Sequence, residues 1–471
     1  MFKTLLINPP VWTYSTPPLS ISYLAAMGRK HGFDISCIDL NIELFSKMRR
    51  EKRYWLVEYE SYWGEPIYKL KINNFFFKIF INSFIKKIEK FKPKLIGFPL
   101  NSSPPIILQI VKKIKEKNKD IKVIVGGTAA DPSSFGSSIL QSRLIDCLVL
   151  GEGELTFLEI LHKTLNKKKI NEIKGIAYLN HKNQIVITER RERILNFDEI
   201  PFPDFSDYNF NSYMLEDFSK KSFKIPVQFS RGRINNCDFC TTNHVWGKPY
   251  ICRSPENMLD EIKSHIDNYK INNFIFSDMA INGDLIKLEK FCDLIIANNI
   301  KISWSGLAII RKDMDNKLLN KMRLAGCCNL TFGMESGSNN VLKAMGKGYS
   351  REDIIRLSRD LASSKISFGF TIIVGHPAEK RENFLETLSC LFEIRDYLKG
   401  TTPGITPCQI IPNTLLFKKY QNEYGFNNDT WKWKIGENSF DERIKRIKEI
   451  NRFIKENIDS RGARIPERYK L

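Results

Sequence analysis

The sequence reads as an α/β protein: an N-terminal Rossmann-like, doubly wound parallel sheet, then a partial (β/α)6 TIM-like barrel, then a helical C-terminal tail. Two series of short apolar runs separated by helical patterns carry this reading, and a polar stretch containing Pro201 and Pro203 divides them. The length of 471 residues agrees with it, because one domain takes roughly 100–200 residues.

In the first series, Lys3–Asn8 is a buried-type strand that stops at Pro9-Pro10, and Leu19–Lys30 has helical spacing and stops at Gly32. Strands are expected at Phe33–Leu40, Lys94–Leu100, Ile121–Gly127 and Ile145–Leu150. Helices are expected at Pro105–Lys117 and after Glu154. Apolar strands joined by helices make a parallel sheet covered on both faces. An aromatic, Lys-rich helical insertion interrupts the pattern at residues 43–92, and residues 175–189 read as a hairpin. These elements form a first domain over residues 1–190, and residues 191–222 read as a linker.

From Lys224 the alternation restarts, with strands expected at 224–230, 272–277, 301–308, 328–334, 366–374 and 405–411. Six such units over residues 223–415 suggest an open barrel, and residues 416–471 a basic helical tail. In β/α barrels the working groups sit at the C-terminal ends of the strands, where the motifs below fall.

Composition narrows the class. No apolar run approaches the roughly 20 residues of a membrane span, so no membrane partner is expected. Ten cysteines without framework spacing, and no leader pattern, indicate a cytoplasmic protein with reduced thiols. The net charge of +20 suits phosphate, but the lysines are spread over many helices. General surface charge is therefore the main reading, and a nucleic-acid partner the alternative.

After the first barrel strand comes Ser230-Arg231-Gly232-Arg233, then Cys237-Asp238-Phe239-Cys240. Two thiols at C-x-x-C spacing can share a cluster, a zinc ion or a disulfide, and the spacing alone does not choose. The context does. Arg253-Ser254-Pro255-Glu256-Asn257 opens a helix, Gly333-Met334-Glu335-Ser336-Gly337-Ser338 follows the fourth strand, and Leu342–Tyr349 (LKAMGKGY) comes next. Ile373-Val374-Gly375-His376-Pro377-Ala378-Glu379 follows the fifth strand. The N-terminal half adds Asn8-Pro9-Pro10, Pro18-Leu19-Ser20, Gly126-Gly127 and Gly151-Glu152-Gly153-Glu154. In these features the chain resembles the cobalamin-binding (B12-binding) radical S-adenosylmethionine enzymes over roughly residues 1–415.

The resemblance implies a cobalamin- and S-adenosylmethionine (SAM)-dependent enzyme, a methyltransferase in secondary or cofactor metabolism. It would act on a small-molecule substrate, with an external electron donor if the chemistry is radical. A degenerate partner or sensor protein and an RNA-modifying enzyme are the alternatives. Cobalamin would lie at the C-terminal edge of the first sheet, against Asn8, Pro9, Leu19, Ser20, Asn101, Ser102, Gly127, Thr128, Gly151, Glu152 and Gly153. No D-x-H-x-x-G motif is present and Thr128-Ala129-Ala130 follows the glycine pair, so no histidine is expected beneath the cobalt. SAM would meet Arg233, Phe239, Asp278, Arg311, Glu335, Ser336, Ile373 and Gly375. His31, His162, His181 and His265 read as structural.

The pattern departs from the family at one decisive place. A [4Fe-4S] cluster takes three cysteines spaced C-x3-C-x2-C, and the first of them would fall at Arg233. Cys237 and Cys240 remain as metal ligands, with Cys252 or His244 as a substitute third. Three readings of Arg233 stand: a surface arginine on a decayed loop, the mark of a lost cluster, or a two-pronged donor to the SAM carboxylate. For Glu335, Ser336, Asp278, Arg311 and Gly375, capping, turn or solvated roles are the competing readings.

Overall fold

A computed structural model describes residues 2–48, 50–56, 59, 74–100, 104–213, 216–217, 220–221, 223–241, 247–424 and 430–466. The chain divides into two compact units, residues 1–226 and 227–471.

In the first unit seven strands form one sheet. They are β1 (Lys3–Asn8), β2 (Asp34–Asp39), β3 (Leu95–Pro99), β4 (Lys122–Gly126), β5 (Cys147–Val149), β6 (Ile176–Leu179) and β7 (Ile185–Ile187). Their order is β2-β1-β3-β4-β5-β6-β7. Strands β1 to β5 are parallel, and β6 and β7 add an antiparallel edge, the hairpin expected at 175–189. The parallel part has the 2-1-3-4-5 doubly wound order, whose ligand crevice opens beside the C-terminal ends of β1 and β3. Burial explains the unbroken apolar runs, since β3 is buried at every position and β1 at all but its first.

Helices fall at Leu19–Lys30, Pro104–Lys117 and Glu154–Leu165. Strand β2 is one residue shorter at each end than Phe33–Leu40, because Asp39 accepts from the Asn41 and Ile42 amides and so starts a helix at Leu40. The described part of the insertion comprises this helix (Leu40–Lys47), a turn at Arg50–Trp55 and a helix at Asn74–Phe91. Trp55 is buried and donates to Asn41 Oδ1 at 2.7 Å.

The segment expected to be a linker is packed onto this unit instead. Phe197, Ile200, Phe205, Tyr208 and Tyr213 are buried. Arg29 joins Asp204 and Asp207, both at 2.5 Å. Aromatic side chains at polar-looking spacing found a core to enter, which local composition does not reveal. A small ribbon, β8 (Glu216–Asp217) with β9 (Lys220–Lys221), follows.

The second sheet has six strands in the order β10-β13-β14-β15-β16-β17. These are β10 (Ile225–Val227), β13 (Asn273–Phe276), β14 (Ser303–Ala308), β15 (Cys327–Glu335), β16 (Ser367–Val374) and β17 (Gly404–Pro407). From β13 onward they pair in parallel, and the sequential order is that of an open β/α barrel. Between β10 and β13 a two-stranded ribbon, β11 (Ser230–Arg231) with β12 (Ile251–Cys252), pairs antiparallel and carries the cysteine loop.

Most barrel helices begin with a short polar side chain, Arg381–Ile394, which follows Lys380, being the exception. Ser254, Asp284 and Asp315 accept from the amides of Asn257, Lys287 and Leu318, and Ser350 with Asp353 closes a capping box. Such caps contribute about 1 kcal/mol each and fix where a strand-end loop turns into helix.

The tail holds helices at Leu415–Tyr424 and Phe440–Asn457. It is not merely a basic surface element. Trp433 and Ile435 join Cys408, Ile410 and Leu416 in a core cluster, and Arg443 and Arg446 are fully buried.

Candidate active site

The barrel carries a pocket of about 290 Å³ at the C-terminal ends of its strands. Its lining includes Arg233, Cys237, Phe239, Cys240, Glu335 and Lys347. Apolar walls come from Ile234, Tyr250, Met279, Leu307 and Phe332.

The cysteine loop is fixed from several sides. Gly232 has φ of +97°, and a Cβ there would stand 2.2 Å from the Pro249 carbonyl oxygen, so only glycine fits the ribbon's turn. Asp238 N–H donates to Met345 O at 3.1 Å, and Leu416 N–H donates to Asp238 O at 2.8 Å. His376 Nδ1 accepts from the Ala378 amide at 3.2 Å, which leaves its Nε2–H to donate to Asp238 Oδ2 at 3.1 Å.

Glu335 enters the pocket through a backbone device. The β15–β16 register shifts between Gly333 and Glu335, and Glu335 has φ of +59°. A Cβ on Gly333 would stand 2.3 Å from Glu335 Oε1. This glycine therefore makes room for the carboxylate, and a left-handed glutamate costs about 1–3 kcal/mol. Lys347 Nζ meets Glu335 Oε1 at 3.0 Å and lies 5.2 Å from the Phe239 ring centroid. Burial pulls the Lys347 ammonium down, but Glu335 and Cys237 outweigh it and hold it above its ordinary value. Burial pushes the Cys237 thiol up, with Lys347 and Arg233 acting the other way.

Arg233 is only 8% exposed. Its Nη1 is buried and has no hydrogen-bond partner among the described residues. An unmet buried donor costs about 1–3 kcal/mol, and more when it is charged.

Of the residues expected to meet SAM, the structure brings Arg233, Phe239 and Glu335 into this pocket, together with Cys237 and Cys240. The others have different work. Asp278 is buried and accepts from the Phe229 amide at 3.1 Å and from the Ser230 hydroxyl, so it ties the first strand to the second. Burial pushes its carboxyl up to about 6. Arg311 pairs with Asp313 at 2.6 Å and donates to Gly283 O at 2.9 Å. Ser336 is fully buried against Thr387, and its hydroxyl accepts from the Ser338 amide. Ile373 packs against the Cys408–Trp433 cluster. Gly375 does allow a close approach, but the neighbour is Arg443, whose Cγ would stand 2.3 Å from a Cβ there. Cys252 lies on β12, outside the pocket lining, and His244 lies outside the described residues.

Sequence reasoning missed Lys347, Tyr250 and His376. Lys347 lay inside the quoted LKAMGKGY run, where a lysine among apolar and glycine residues was the available signal. Tyr250 and His376 reach the loop through chain separations that no local pattern encodes.

The residues present do not fit a three-cysteine [4Fe-4S] site. Among the described residues no group of three or more His, Cys, Asp or Glu side chains could hold a metal ion. No disulfide joins any of the ten cysteines.

The first unit's sheet edge is open where cobalamin was expected. Gly127 and Gly151 have φ of +111° and +77°. A Cβ on Gly151 would meet nothing within 4 Å. Thr128 and Ser20 are exposed, Leu19 is half-buried, and Gly153 leads into the Glu154–Leu165 helix. Asn8 and Glu152 are engaged, donating to Asp39 Oδ1 at 2.9 Å and accepting from the Ile194 amide at 2.7 Å. Pro9 is buried, and Asn101 and Ser102 lie outside the described residues. Glycines that admit close backbone approach, beside exposed hydroxyls, suit a large polar ring system.

A Rossmann-like unit with an open switch-point edge and a β/α barrel with a mostly apolar strand-end pocket holding a few charged groups offer one ligand site in each unit. Residues 227–391 match the model of the radical SAM superfamily, and residues 67–161 match that of the B12 binding domain. The chain is 25% identical over 387 residues to cytidylyl-2-hydroxyethylphosphonate methyltransferase of Streptomyces wedmorensis, covering 73% of this chain and 67% of that one. It is 28% identical over 412 residues to an uncharacterized methyltransferase of Pyrococcus horikoshii, covering 82% and 77%. Its fold resembles the radical SAM methyltransferase TsrM of Kitasatospora setae, solved with tryptophan substrate and a SAM analog (TM-score 0.68, 15% identity, 90% and 76% covered). It also resembles the cobalamin-dependent SAM radical enzyme OxsB, solved with aqua-cobalamin (TM-score 0.66, 20% identity, 97% and 62% covered). The chain thus carries a radical SAM superfamily domain and a B12 binding domain, and the relatives it resembles include methyltransferases.

Proposed function

We propose that this protein is a SAM- and cobalamin-dependent methyltransferase for a small molecule, and that it works without the family's site-differentiated [4Fe-4S] cluster. One observation carries the second half: a buried guanidinium, Arg233, stands in the pocket with Cys237 and Cys240, where a third thiol would be needed. A small-molecule substrate is favoured by the relatives, of which one is named for a cytidylyl phosphonate and one was solved with tryptophan. We read its setting as cytoplasmic, consistent with ten cysteines in no disulfide and with the absence, among the described residues, of any helix long and apolar enough to cross a membrane.

When bound, SAM supplies an electrophilic methyl group and cobalamin a cobalt centre that can accept it once an external donor has reduced it. The protein's own part is positioning and exclusion. Phe239, Tyr250, Met279, Leu307 and Phe332 provide apolar walls that keep water from the reacting sulfonium. Lys347 and Glu335 neutralise each other, so Glu335 is held in one orientation. Gly127, Gly151, Thr128 and Ser20 offer the first unit's open edge to the corrin.

The test is anaerobic reconstitution with iron, sulfide and hydroxocobalamin, followed by metal analysis and by incubation with methyl-deuterated SAM and a low-potential chemical reductant that brings the cobalt to Co(I). Cobalt near one per chain, iron well below four, and label in the cobalamin are expected. Arg233→Cys, which restores the three-cysteine spacing, is expected to raise iron toward four. Four irons in the unaltered protein would overturn the cluster-free half, and absence of cobalt would overturn the cobalamin half.

A further inference from the structure

We infer that Arg233 is a carboxylate-binding residue, and that the barrel pocket holds the α-carboxylate of SAM in metal-free protein. The inference rests on the SAM-binding reading above and assigns the part of the ligand that Arg233 takes.

The charges lining the pocket are few, and they balance except at one point. Glu335 and Lys347 pair at 3.0 Å, with side chains 10% and 9% exposed. Among the described residues lining the pocket, Arg233 is the charged side chain with no ion-pair partner. Its Nη1 is sealed from solvent and meets no acceptor among the described residues. A buried cation with an idle donor gains stability when an anion completes it. The planar fork of arginine matches the two oxygens of a carboxylate.

Position strengthens the case. Arg233 lies four residues before Cys237, on a loop that Gly232 and the β11–β12 ribbon hold in place. Three thiolates there would hold iron, and that iron would take the carboxylate and amino groups of SAM. Arg233 occupies the missing thiolate's place and offers the same carboxylate a donor instead of a metal. The apolar walls contributed by Met279, Leu307 and Phe332 leave the rest of the pocket suited to a nucleoside.

Calorimetry with chelator-treated, iron-free protein tests this with two probes. S-Adenosylhomocysteine carries the carboxylate, and 5′-methylthioadenosine has the nucleoside and sulfur without it. The unaltered protein should bind both, the first more tightly. Arg233→Ala should weaken S-adenosylhomocysteine roughly ten- to a hundredfold. Methylthioadenosine should bind within about twofold of the unaltered protein, which also reports that the variant is folded. Arg233→Lys, which keeps the charge and loses the fork, should fall between. Equal losses for both probes would mean that Arg233 only supports the fold, and undiminished S-adenosylhomocysteine binding would mean that the carboxylate lies elsewhere. Either result overturns this inference while leaving SAM binding intact. Binding of neither probe would overturn the SAM reading as well.

Discussion

At the scale of single residues, the pocket depends on paired exceptions. Gly333 lacks a Cβ so that Glu335 can sit where it does, and Glu335 accepts a left-handed backbone so that its carboxylate can reach Lys347. Removing one partner of a buried ion pair leaves the other stranded, which costs more than removing both. Lys347→Met should therefore lower unfolding stability by about 2–4 kcal/mol, read from the urea midpoint at constant slope. The double variant Lys347→Met/Glu335→Gln should recover most of that loss. A double variant as unstable as the single one would show that Lys347 acts through packing on Phe239 rather than through Glu335.

Among elements, the C-terminal helix Phe440–Asn457 belongs to the barrel's structure. Arg446 meets Glu379 Oε1 at 3.0 Å, and Arg443 lies against Gly375 and 3.7 Å over the Trp433 ring. The motif at Ile373–Glu379 is therefore occupied largely by docking this helix, and that leaves Ile373 and Gly375 outside the pocket lining. In the first unit, the end of β2 carries a titratable lock. Asp39 accepts from Asn8, from Tyr213 at 2.6 Å and from two amides of the following helix. Burial outweighs these bonds and pushes its carboxyl from 3.8 up to about 6. The folded state thus holds this proton more firmly than the unfolded chain. Its contribution is complete below the unfolded value and is lost as pH rises through 6, amounting to about 3 kcal/mol. Asp278, likewise raised to about 6, adds the same sign in the second unit. Glu379, raised by burial to about 7, acts in the same sense, so urea unfolding between pH 4 and 6.5 should show stability falling with rising pH, and Asp39→Asn should remove about a third of the slope that these three groups give. An unchanged slope would mean that Asp39 titrates near its unfolded value.

For the whole molecule, charge and family point in different directions. A net charge of +20 draws the chain to any polyanion. The lysines are dispersed, however, and many sit in local ion pairs such as Lys321 with Glu289 and Lys115 with Asp146. RNA retention should therefore be weak, indifferent to sequence and lost by about 0.2–0.3 M salt, as counterion release dictates. Filter binding with two unrelated RNAs checks it. Selective retention at high salt would revive an RNA substrate over a small molecule.

The sequence alone determined the order of elements and the loops that carry chemistry. Helix Leu19–Lys30 and strand Lys3–Asn8 stand where periodicity put them, since alternation and caps are encoded within a few residues. Arg233, Cys237 and Cys240 were legible as one loop because their spacing is local. The tertiary structure decided which polar side chains remain available to a ligand. Ser336 was claimed by Thr387, Asp278 by Ser230, Arg311 by Asp313 and the Gly283 carbonyl, and Gly375 by the tail's Arg443. Lys347 entered the pocket by the same process, carried there when Glu335 and Phe239 became its neighbours. A polar group's role is fixed by what satisfies it once buried, and for these residues most of those partners lie tens of positions away in the chain.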